Sequence, residues 1–200
     1  VAASAPGSVW SQITFWPDER LVERHLERAR RARIDVLVVA ADVSVSSKRD
    51  RDLRNGFTMA GRPSLRSVVN AARKPRWVAR FLAGPRVAFG DQTVDGRPMT
   101  LRQMEQFMEH ENAAATWADL ARLRSAWPGR IVVKGIMGPD DARTAIDVGA
   151  DAVYVSNHGG RQFDAQPSTA AALPAIVDAV GGQVPVLVDG GIRRGSDVVK

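Results

Sequence analysis

The feature that most constrains this chain is a repeated alternation of short, β-branched apolar runs with segments of helical length. The runs occupy residues 11–15, 36–41, 131–134, 152–156 and 184–189. After the third and fourth runs, helical patterns cover roughly 140–147 and 171–180. The first stops at Gly149 and the second at Gly181-Gly182. Glycine just past the last periodic residue is the usual helix stop. Buried strands alternating with helices of this length pair in parallel, because a parallel neighbour is reached only through a crossover. An α/β protein with a parallel sheet is therefore expected.

Three consecutive runs end in residues that carry chemistry. Lys134-Gly135 ends one, Ser156-Asn157-His158-Gly159-Gly160-Arg161 follows the next, and Asp189-Gly190-Gly191 closes the third. In α/β barrels the carboxyl ends of the strands carry the active site. His158 supplies an imidazole, which titrates near neutrality, and Arg161 a two-pronged carboxylate clamp; such a pair suits proton abstraction beside a carboxylate. An isolated His near an Arg is more often an ordinary loop residue. Three such strand ends in succession favour the functional reading.

The motifs that carry a resemblance are Val133-Lys134-Gly135-Ile136, Ser156-Asn157-His158-Gly159-Gly160-Arg161-Gln162 and Asp189-Gly190-Gly191-Ile192-Arg193-Arg194-Gly195, with Lys48-Arg49-Asp50-Arg51-Asp52-Leu53-Arg54-Asn55-Gly56-Phe57 upstream. They resemble the FMN-dependent α-hydroxy acid dehydrogenases and oxidases over nearly the whole chain, except roughly 58–115. The resemblance implies a (β/α)8 TIM barrel, a domain that typically needs about 250 residues. With 200 residues and five strand candidates, the chain reads as an internal fragment of such a barrel with both ends missing. Residues 1–200 would form the partial domain, and 58–115 a lid or accessory insertion.

The resemblance also implies roles. His158 would be the general base, and Asp42 the carboxylate that orients it. Arg161 and Arg49 would anchor the substrate carboxylate. Lys134 would stand beside the flavin N1–C2 carbonyl, where a fixed positive charge favours the reduced anion. Gln12 and Ser156 would hydrogen-bond the isoalloxazine edge. Asp189 would take ribityl hydroxyls, and Gly190, Gly191 and Arg193 would admit the phosphate. The implied reaction is FMN-dependent oxidation of a lactate-like (S)-2-hydroxy acid to the 2-oxo acid. The electron acceptor is left open among oxygen, a quinone and a cytochrome, and the full-length protein is expected to be a homo-oligomer. Two positions depart from the family: Thr14 stands where a substrate-contacting tyrosine is usual, and Ala40 where a flavin-contacting threonine is usual. The single tyrosine, Tyr154, lies in a strand and reads as too far along the chain to substitute.

Composition narrows the alternatives. The chain has no cysteine, hence no disulfide framework or thiolate metal site, and no metal-ligand spacing connects its histidines; His25 and His110 read as surface residues. A formal charge of +6 invites a nucleic-acid reading, but the arginines are interleaved with Glu on helix faces, so no nucleic-acid partner is expected. The basic and aromatic run 73–82, with Trp77, Phe81 and Leu82, suits either a helix packed on the barrel or a peripheral contact at the cytoplasmic face of a membrane. No signal peptide or long apolar span is visible, and a cytoplasmic location is the expectation. The competing readings are a flavin barrel acting on another substrate, which Thr14 and Ala40 keep open, and a degenerate or basic binding module.

Overall fold

The computed structural model describes residues 9–16, 18–43, 50–56, 64–85, 89–94, 97–101, 103–104, 115–163 and 165–199. The chain divides into two compact units, 1–47 with 111–200, and 48–110. In the first, β1 (Ser11–Thr14), β2 (Val36–Ala40), β5 (Arg130–Ile136), β6 (Ala152–Val155) and β7 (Val186–Val188) form one sheet in that order, every pair parallel. The five apolar runs are these five strands. The connecting helices are α1 (Glu19–Arg31), α5 (Trp117–Ala126), α6 (Pro139–Asp147) and α7 (Thr169–Val180), and α8 (Gly195–Val199) follows β7.

Side chains alternate across each strand, and the two faces differ. Ile13, Leu37, Val39, Ile131, Val133, Val153 and Val155 form one core with Leu26 and Ala29 of α1, Leu120 and Leu123 of α5, Ala142 and Ala145 of α6, and Ile176 and Val180 of α7. Burying each large aliphatic side chain contributes about 1.5–3 kcal/mol. The opposite face carries a small cluster, Val38, Val132 and Ala152. Strands in sequential order with all four helices on one face make an arc of a barrel; a doubly wound sheet reverses its order and is covered on both faces.

Helix ends follow local chemistry. Ser168 Oγ accepts from the Ala171 amide at 3.2 Å at the start of α7, and Gly181 ends that helix with φ 57°. At the start of α5, Asp119 accepts from the Thr116 amide at 2.6 Å and the Thr116 hydroxyl at 2.8 Å. These bonds, the amide first, hold the Asp119 carboxyl below its ordinary value of 3.8.

The second unit contains α2 (Asp50–Arg54), α3 (Leu65–Ala72), α4 (Pro75–Ala83) and an antiparallel pair, β3 (Phe89–Val94) with β4 (Arg97–Met99). These two strands lie outside the barrel sheet and bring the described total to seven, where the sequence suggested five. In α4 the rings of Trp77 and Phe81 stack at 5.2 Å, and both are more than half exposed, as is Leu82. No helix among the described residues is long and apolar enough to cross a membrane.

Candidate functional site

Four neighbouring strands deliver the site at their carboxyl ends. Asp42 lies two residues beyond β2, Lys134 in β5, Ser156 and His158 just beyond β6, and Asp189 just beyond β7. His158 Nδ1 donates to Asp42 Oδ2 at 2.6 Å; Asp42 is 8% exposed at its side chain and His158 26%. A proton fixed on Nδ1 leaves Nε2 as the basic nitrogen, and the carboxylate stabilises the imidazolium once Nε2 is protonated. His158 sits in a left-handed backbone, φ 53°, which is uncommon outside glycine. Asn157 braces it: its Oδ1 accepts from the Gly160 amide at 3.3 Å, and its Nδ2 donates to the Pro167 carbonyl at 3.1 Å.

Room for Asp42 comes from a break in β5. The β5–β6 register shifts between Lys134 and Ile136, so Gly135 is an extra residue, with φ +102°. A Cβ on Gly135 would lie 2.6 Å from both Cγ and Oδ1 of Asp42. Only a residue without a side chain lets this carboxylate rest against the strand. The bulge also corrects the expectation that the strand ends at Lys134: it runs to Ile136, with Lys134 inside it.

Lys134 is buried on the face opposite the helices. Its Nζ donates to Ser156 Oγ at 2.7 Å and pairs with Asp189 Oδ2 at 3.3 Å. Ser156 Oγ also accepts from the His158 amide at 3.3 Å, so one hydroxyl joins the lysine to the histidine loop. Among the described residues, Asp189 Oδ1 is buried without a hydrogen-bond partner. Gly190 and Gly191 follow with φ +98° and +78°, and a Cβ on Gly190 would come within 2.8 Å of the Thr169 hydroxyl.

Among the described residues, the side chains of Gln12, Arg161 and Arg193 make no hydrogen bond to this cluster. Gln12 is exposed on β1, in the register row of Val38 and Val132, two residues before the row of Thr14, Ala40 and Lys134. Arg161 and Arg193 are exposed. The Arg193 and Arg194 amides both donate to Asp197 Oδ2 at 3.0 Å, which leaves the guanidinium and the glycine backbone as the groups able to meet a phosphate. Arg49 and His110 lie outside the described residues. No group of three or more His, Cys, Asp or Glu suited to a metal ion occurs among the described residues.

The family profile described as FMN-dependent dehydrogenase matches residues 1–200. The chain belongs to this family. It is 40% identical over 195 residues to an L-lactate dehydrogenase of Azorhizobium caulinodans, covering 96% of this chain and 51% of that protein. An L-lactate dehydrogenase of Xanthomonas campestris is 38% identical over 203 residues, covering all of this chain and 52% of its own. The crystal structure of a monotopic membrane protein, (S)-mandelate dehydrogenase, superposes with a TM-score of 0.88 at 32% identity, over 98% of this chain and 52% of that one. The chain thus spans about half the length of the curated relatives it matches.

The residues present fit the family's flavin mononucleotide. Lys134 Nζ donates one hydrogen bond, to Ser156, beside its ion pair with Asp189, which leaves it able to donate to a carbonyl oxygen. Asp189 Oδ1 is a buried acceptor suited to hydroxyl groups, and a Cβ on Gly191 would meet nothing within 4 Å, so a phosphate can approach that backbone.

Three residues gain meaning that the sequence did not give them. Gly135 makes the space for Asp42. Asn157 holds the histidine loop. Tyr154, read as too remote, is the direct register partner of Lys134, whose Nζ lies 5.4 Å from the centroid of its ring. His25 is also corrected: it is partly buried, with Nε2 2.9 Å from Ser11 Oγ and its ring edge-on to Trp16 at 5.5 Å.

Proposed function

We propose that the full-length protein oxidises an (S)-2-hydroxy acid to the corresponding 2-oxo acid. The observation that carries this reading is the His158–Asp42 pair at 2.6 Å, set at adjacent strand ends with a buried lysine beside it. His158 Nε2 takes a proton from the substrate, and Asp42 stabilises the charge that results. Arg161 would grip the substrate carboxylate through paired N–H groups, which a lysine cannot reproduce, and the family resemblance gives Arg49 a like role. Lys134, Ser156, Gln12, Asp189, Gly190, Gly191 and Arg193 would hold flavin mononucleotide, with the fixed charge of Lys134 at its pyrimidine carbonyl. When bound, the flavin supplies the two-electron acceptor. Thr14 and Ala40, which stand where the family has Tyr and Thr, would weaken substrate binding or change which acid is preferred.

The test uses the full-length protein under anaerobic conditions with lactate, glycolate or mandelate, following the visible flavin band. Bleaching by one acid, abolished in His158→Ala, supports the reading. A yellow protein that no 2-hydroxy acid bleaches overturns the substrate class, and a colourless one overturns the cofactor as well. Reoxidation of the bleached enzyme by oxygen, a quinone or cytochrome c identifies the electron acceptor.

We further infer a peripheral membrane contact through 73–82. The stacked Trp77–Phe81 pair and Leu82 present exposed apolar surface, with Arg73, Lys74, Arg76 and Arg80 among and beside them. Apolar insertion flanked by cations suits an anionic leaflet. Co-sedimentation with phosphatidylserine vesicles, lost in Trp77→Ser/Phe81→Ser and weakened by salt, is expected; no sedimentation overturns the inference.

A further inference from the structure

Tyr154 has no part in the chemistry proposed above, yet it faces the group that tunes the cofactor. Its backbone pairs with Lys134 across β5 and β6, and the lysine Nζ lies 5.4 Å from the ring centroid, within the range at which a ring face attracts a cation. On the other side of Lys134 the row partner is Ala40, which has no polar or aromatic group to offer the ammonium. We propose that Tyr154 is a positioning residue whose ring face holds the Lys134 ammonium in place for the flavin, an inference that rests on the flavin reading given above.

Competing attractions set where the ammonium rests. A buried ammonium needs compensation for its lost hydration, and three groups provide it: Ser156 Oγ at 2.7 Å, Asp189 Oδ2 at 3.3 Å and the ring of Tyr154. Of these, only Asp189 carries a full opposite charge. An ammonium drawn wholly to Asp189 is neutralised and gives the flavin little field, whereas the quadrupole of a ring attracts the cation without cancelling its charge. The phenol must stay neutral for this to work. Burial, and then the charge of Asp189, push its pKa above the usual 10.0.

Sulfite adds to oxidised flavin and places negative charge near N1, so its affinity reads the field there without any hydroxy acid turnover. The full-length, flavin-loaded protein is compared with Tyr154→Phe, Tyr154→Leu and Tyr154→Met. Tyr154→Phe keeps the ring face and is expected to match the parent within about twofold. Tyr154→Leu should bind sulfite roughly tenfold more weakly, within the span of a partly desolvated cation–π contact. For a two-electron couple, that tenfold corresponds to a midpoint potential lower by about 30 mV. Tyr154→Met, a flexible apolar replacement without a ring, gives the same answer if the leucine variant misfolds. Unchanged or tighter sulfite binding in Leu and Met overturns the proposal, as does a loss in Phe equal to that in Leu. A parent that holds no flavin overturns both this proposal and the functional reading. A parent bleached by a hydroxy acid, with variants indifferent to position 154, overturns this proposal alone.

Discussion

Gly135→Ala tests whether the bulge in β5 exists to seat Asp42. The new Cβ would lie 2.6 Å from the carboxylate carbon and from Oδ1, where ordinary contact begins at 3.4 Å. Relief needs a displacement of about 0.8 Å, the difference between those distances. Moving Oδ2 that far from His158 Nδ1, now at 2.6 Å, stretches the bond to the edge of hydrogen-bonding range. A misplacement near 1 Å costs roughly 10²-fold in rate. Stability falls too, by about 1–3 kcal/mol for a side chain at φ +102° and a similar amount for crowding. The two effects separate in a cycle with Asp42→Gly, which removes every atom the new methyl would strike. Backbone strain persists in that background and cancels from the cycle. Substrate-driven flavin reduction is measured for all four proteins, with urea unfolding alongside. The expected outcome is a loss of about 10²-fold from Gly135→Ala in the parent and almost none in Asp42→Gly. Equal losses in both backgrounds, or full activity in Gly135→Ala, would mean that the bulge does not seat Asp42.

Asn157→Ala removes two hydrogen bonds from a buried side chain and should cost about 1–3 kcal/mol in chemical unfolding, with kcat falling more than KM changes because the loop holding His158 loosens. Thr116→Ala should lower stability by about 1 kcal/mol and leave flavin reduction unchanged, because it affects only the start of α5. Asp119 beside it has a lowered pKa in the folded chain. Its stabilisation is therefore present above the ordinary 3.8 and is lost as pH falls through the lower folded value, so the gap between parent and Asp119→Asn should close in acid unfolding curves. Tyr154 shifts the other way: its folded pKa is raised, so its contribution is complete below 10.0 and lost as pH rises through the folded value. The difference in phenolate absorbance between parent and Tyr154→Phe should appear above pH 10 when native and near 10 in denaturant.

The sheet was legible because parallel strands buried on both faces read as unbroken β-branched runs, and glycines mark where their helices stop. Lys134, His158 and Asp189 were legible as polar residues abruptly following such runs. The partnership of Asp42 with His158 spans 116 positions, and an aspartate after a strand is ordinarily a turn residue, so only the family resemblance assigned it. Gly135 and Tyr154 were invisible for a different reason. Their meaning lies in cross-strand register, and a one-residue bulge changes which side chains meet without altering any local pattern. The short helices and strand pair of the second unit were obscured by their prolines and brevity, since each is too short to establish a period.

The left-handed backbone at His158 has a consequence for how this sequence drifts. A non-glycine residue there costs on the order of 1–2 kcal/mol, but glycine at that position would also leave the buried Asp42 carboxylate without its partner at 2.6 Å, a penalty of about 1–3 kcal/mol or more that offsets the relief. While Asp42 is ionised and buried, selection for folding alone thus keeps the histidine in place. In a gene copy released from its catalytic duty, glycine at 158 becomes a stabilising change only once Asp42 has given way to an uncharged residue. A copy that reads glycine at 158 and an uncharged residue at 42 would be recognisable as a retired enzyme, the two changes having travelled together.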